Sequence, residues 1–126
     1  MSTLKADTIQ NTSGGAATLT KQYAVKTWAN TNMTSTQSNR DSFNISSITD
    51  GGTGGTTLAI TSNMSDANYA GVAERGTTTS NAGEISFPYN TFTNTSSQCA
   101  FCAFSVSYAA FQDITNVSTA LIGDLA

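Results

Sequence analysis

The chain has 126 residues and a mass of 13.1 kDa, carries a net charge of −3 with only 10% charged side chains, and contains no histidine. That length supports one core and no more, and the missing histidine removes the commonest general base and metal ligand, and with them every Ser-His or Cys-His nucleophile. The five basic residues, Lys5, Lys21, Lys26, Arg40 and Arg75, are scattered, so no cluster exists to displace counterions from nucleic-acid phosphates, and the acidic balance argues against anionic membranes.

In chain order, residues 1–17 end in Ser13-Gly14-Gly15-Ala16-Ala17 and read as an extended N-terminal arm on a flexible hinge. Residues 18–126 form the body. Residues 18–30 allow a helix, but Tyr23, Val25, Thr27 and Trp28 favour a strand. Over 42–49 the period is two: Phe43, Ile45 and Ser47 share a parity and Ile48 breaks it, which predicts one strand ending in a bulge. Asp50-Gly51-Gly52-Thr53-Gly54-Gly55 follows, and Leu58 and Ile60 resume the alternation. This predicts a hairpin whose turn needs positive φ at several glycines.

Residues 68–75 predict a short strand of small residues. Ile85, Phe87 and Tyr89 alternate with Glu84 and Ser86, and Pro88 within that run, lacking an N–H, marks an edge strand or a break. Gln98 to Gln112 is the most apolar stretch. Cys102, Phe104, Val106 and Tyr108 would line one face and Cys99, Phe101, Ala103, Ser105 and Ser107 the other, so this strand should run through the centre of a sheet. Ile114 to Ile122 supplies the last strand. The expected fold is all-β, a single antiparallel β-sandwich or jelly-roll-like module.

Few residues invite chemistry. Cys99 and Cys102 have the spacing of a zinc half-site, but no further cysteine or histidine completes it, and residues three apart on a strand face opposite sides. Two buried, reduced thiols are the expectation. The glycine-rich turn has neither the Gly-Lys-Ser/Thr ending of a phosphate loop nor the spaced carboxylates of a calcium loop. Glu74 and Glu84 are the sole glutamates, and nothing in their spacing sets them a glycosidase's separation apart. No catalytic residue, metal or cofactor is assigned. Trp28, Tyr23, Tyr69 and Tyr89 can stack on sugar rings, or fill the core or a subunit interface.

Several stretches carry a resemblance. Thr3–Asn11, Ala24–Asn30, Arg40–Asp50, Met64–Tyr69 and Ala120–Ala126 are similar, in this order, to small virion proteins of tailed bacteriophages, of the tail-fibre or capsid-decoration type known from marine and environmental phages. From Gly76 to Gln98 there is little such similarity. The resemblance implies a non-enzymatic component of the virion surface, assembled in the host bacterial cytoplasm, and a homotrimer whose arm, with Leu4 and Ile9, attaches to capsid or tail proteins. It also implies a β-rich body facing outward, where Trp28 and Tyr89 would meet a host glycan or receptor. The chain is short for a tail fibre, which favours a capsid decoration or short head fibre.

Overall fold

The computed structural model describes residues 12–13, 25–76, 83–86, 93–106 and 108–124, and every regular element among them is a β-strand. The strands are β1 (Val25–Asn32), β2 (Ser38–Phe43), β3 (Ile45–Asp50), β4 (Gly55–Ile60), β5 (Ala70–Gly76), β6 (Gly83–Ser86), β7 (Gln98–Ser105), β8 (Ala110–Phe111) and β9 (Asn116–Ile122). They pair antiparallel in two sheets. Sheet I has the order β2-β1-β9-β5, and sheet II the order β3-β4-β7-β6 with β8 added on β7. The fold is the all-β sandwich that the period-two pattern predicts.

The core lies between the sheets. Ala29, Met33, Leu58, Phe101, Ala103, Ile114 and Val117 form one buried cluster. Ile60, Met64, Cys99 and Leu121, with Tyr69 against them, form a second. Threonine explains how a chain so poor in large apolar residues fills this space. Thr27, Thr31, Thr56 and Thr119 are all buried, each presenting a β-branched methyl while its hydroxyl stays hydrogen-bonded. Thr31 Oγ1 donates to Asn39 Oδ1, Thr56 Oγ1 to Gln37 Oε1 and Thr119 Oγ1 to the Ala29 carbonyl, and Thr27 Oγ1 accepts from Asn44 Nδ2. A buried hydroxyl costs little once it is paired.

The hairpin of β3 and β4 forms around the glycine-rich turn, with Asp50 opposite Thr56. Gly52 and Gly54 take φ of +89° and +73°. Gln37 anchors the turn from the β1–β2 loop, its Nε2 donating to Asp50 Oδ1 and to the Gly55 carbonyl.

Two expected strands are divided. The run over 42–49 is not one strand: Phe43 ends β2 in sheet I and Ile45 begins β3 in sheet II, with Asn44 between them at φ +61°. Asparagine is among the few residues that tolerate this conformation. Its side chain holds the crossing, with Oδ1 accepting from Ser62 N and Nδ2 within donor range of the Lys26 and Ser62 carbonyls. The register irregularity sits at the start of β3, between Ile45 and Ser47, rather than at its end. The apolar stretch 98–112 also breaks. β7 stops at Ser105, Ala109 turns at φ +49° and β8 folds back on β7, so Val106 and Tyr108 are exposed instead of continuing the Cys102–Phe104 face.

β7 itself is central, between β4 and β6, as its sequence predicts. β6 is an edge strand of sheet II. Pro88 and Tyr89, beyond it, lie outside the described residues, as do Tyr23, Leu4, Ile9 and the rest of the arm except Thr12 and Ser13. Residues 25–30 of the ambiguous 18–30 segment are strand, within β1.

Candidate functional site: the outer face of sheet I

Strand alternation sends Thr27, Ala29 and Thr31 of β1 into the core and leaves Trp28 and Asn30 on the outside. Register then builds rows across the sheet. Trp28 is opposite Phe43 on β2 and Ala120 on β9, and Ala120 is opposite Val72 on β5. The row Phe43–Trp28–Ala120–Val72 therefore crosses all four strands on one face. Phe43 is 57% exposed, Val72 54% and Trp28 37%. Beside it, Val25 and Ala70 flank Ile122, and Val25 is 47% exposed. Directly opposed side chains stand roughly 5 Å apart at Cβ, so these residues form one continuous apolar surface.

The next row on the same face is polar: Asp41, Asn30, Ser118 and Glu74. Asn30 Nδ2 donates to Ser118 Oγ at 3.3 Å. A shallow groove runs between β5 and β9, lined by Val72, Glu74, Ser118 and Ala120. Chemically this face can bury apolar area against a partner, with amide and carboxylate groups along one side to orient it. Scattered exposed apolar residues are ordinary, whereas contiguous apolar surface is the kind that interaction sites use.

Of the aromatic residues singled out in the sequence, Trp28 lies on this face. Tyr69 does not: it packs on Ile60, Met64, Cys99 and Leu121 at the inner side of the sheet, and its hydroxyl donates to the Gln98 carbonyl at 2.7 Å. Burial, reinforced by the neighbouring Cys99, pushes its phenol above the usual tyrosine range. Tyr69 is a structural residue. The sequence does not mark Phe43 or Val72 for this face, because parity joins Phe43 to Ile45 and Val72 sits among small residues. Parity from Trp28 to Ala120 and Val72 needs the strand pairing.

Cys99 and Cys102 are both free and buried. Desolvation pushes the Cys99 thiol up to about 12, with the Tyr69 hydroxyl offsetting part of the rise. The Cys102 thiol is also raised by burial, against a backbone hydrogen bond from Ser86. These thiols are poor nucleophiles. Glu74 lies on the outer face of sheet I, while Glu84, exposed opposite Phe104 on β6, belongs to sheet II. Packed sheets are about 10 Å apart, so the two carboxylates point away from each other across the sandwich and do not flank a common substrate.

Comparison of the chain with protein-family models, with curated proteins and with solved structures finds no match.

Proposed function

We propose that the chain is a non-enzymatic structural protein of a tailed-phage virion, a small homotrimeric surface module of the capsid-decoration or short head-fibre type, anchored by its N-terminal arm. The observation that carries this reading is the exposed row Phe43–Trp28–Ala120–Val72: a chain with so little charge and an apolar sheet face that the described residues leave uncovered is suited to burial in an assembly. The resemblance of its sequence stretches to small virion proteins supplies the kind of assembly and the trimeric state. The test is the copy number of the chain in purified phage particles, by quantitative mass spectrometry against the major capsid protein. A number in fixed proportion to capsid subunits is expected, and absence from the particle overturns the proposal.

A second reading has its own support. Trp28 stands beside Asn30, Asp41 and Ser118 on one face, and an aromatic ring next to hydrogen-bonding groups is what a sugar requires. In that case the chain is a tail-fibre or receptor-binding module. Its copy number would match the tail's symmetry, and glycan binding would disappear in Trp28→Ala with the fold intact.

A further inference from the structure

We infer that Arg75 and Ser105 form a binding site for a carboxylate or similar oxyanion, where β5 of sheet I passes β6 of sheet II. This site is distinct from the outer face and does not depend on the virion reading. Arg75 is opposite Val117, which is fully buried, so its side chain points inward. The guanidinium reaches the Gly83 position of β6: a Cβ added there would collide with Nη1 and lie 2.8 Å from Cζ. Glycine at 83 thus leaves the volume that the guanidinium occupies. Gly83 in turn is opposite Ser105 on β7, which puts the Ser105 hydroxyl on the same face.

Three polar atoms at this point lack partners. Arg75 Nε and Nη1 are shielded from solvent without a hydrogen bond, and so is Ser105 Oγ, on a fully buried residue. Arginine cannot shed its charge in a protein, so the cation persists and needs an acceptor. A shielded cation without one is costly. Among the described residues, no acid reaches this place. Strand alternation turns Glu74 and Glu84, the acidic neighbours, to the outer surfaces. The inner row continuing from Arg75 across sheet I is Val117, Thr31 and Asn39. Residues 77–82, which join β5 to β6, contain no aspartate or glutamate. Guanidinium N–H groups and a hydroxyl on one face, with no carboxylate beside them among the described residues, select an anion with several acceptor oxygens.

The anion has two sources: a free small anion, or the carboxylate of a neighbouring copy of this chain. Thermal unfolding of the full chain, with sodium acetate replacing sodium chloride at constant ionic strength, separates them when combined with sedimentation. Wild type, Arg75→Gln and Ser105→Ala are compared. A saturable rise of several degrees with acetate in wild type, lost in Arg75→Gln and weakened in Ser105→Ala, establishes the site with a free anion. If a neighbouring copy fills it, Arg75→Gln weakens self-association by about tenfold or more, the worth of a lost charged contact, and acetate dissociates the wild-type assembly. Ser105→Ala removes one hydroxyl and keeps the readout available if Arg75→Gln does not fold. Identical acetate responses and identical association in all three proteins overturn the inference.

Discussion

β7 and β9 are both interior strands of antiparallel sheets, yet solvent treats them differently. β9 alternates, with Val117, Thr119 and Leu121 buried and the residues between them open to the outer face. β7 is buried from Cys99 through Ala103 without interruption, on both of its faces. Their sequences differ too, though less sharply: β9 begins with three polar residues among its first four, Asn-Val-Ser-Thr, before Ala-Leu-Ile, whereas Cys-Ala-Phe-Cys-Ala-Phe carries none. Sheet II keeps its central strand dry within the chain, while sheet I presents an apolar row that the described residues leave uncovered.

Substitutions should sharpen that contrast. The largest effect is expected in β7, where Phe101→Ala empties a fully buried site and should cost about 3–5 kcal/mol in urea denaturation. Asn44→Ala should cost about 2–3 kcal/mol, because it removes the hydrogen bonds that hold the crossing between sheets and leaves a residue ill-suited to φ +61°. Asn44→Gly, which keeps the conformational freedom, should recover part of that loss, and equal costs for the two variants would refute the strain component. Gly54→Ala should cost roughly 1–3 kcal/mol from its left-handed conformation, with a collision against the Ala103 carbonyl 2.7 Å away adding to it. Gly52→Ala, with open space around it, should stay near the lower end.

Alkaline pH tests the dry interior from another side. The unfolded Cys99 thiol ionises near 9 and the folded one near 12, so the unfolded state releases its proton first. Stability is therefore undiminished below pH 9 and falls as pH rises toward 12, by roughly 1 kcal/mol at pH 10 from this group. Denaturation curves at pH 8 and 10 should show a smaller drop for Cys99→Ala than for wild type. The smallest stability effect belongs to the outer face. Phe43→Ser and Val72→Ser should change folding stability by about 0.5 kcal/mol or less, yet shift sedimentation from assembly to monomer. A large loss of stability with association unchanged would reverse the contrast between the sheets.

Much of the fold is legible because local chemistry and tertiary structure agree. Period-two alternation, the glycines at 52 and 54 and the doubly apolar β7 each specify their own conformation or burial over a few residues. The division at Asn44 was not legible, since alternation continues across it from Phe43 to Ile45 and a single residue's φ changes the sheet.

The candidate surface lies on the same boundary. Trp28 stands out as a large aromatic in any reading, but alternation assigns it a face without saying which face meets the second sheet. By itself the sequence determined an all-β chain, its hairpin and its driest strand, because those follow from neighbours a few positions apart. Only the tertiary structure decided that Phe43, Trp28, Ala120 and Val72 share one exposed row and that Arg75 meets Gly83 and Ser105. Both depend on strand register and sheet packing between residues remote along the chain, which no local periodicity encodes.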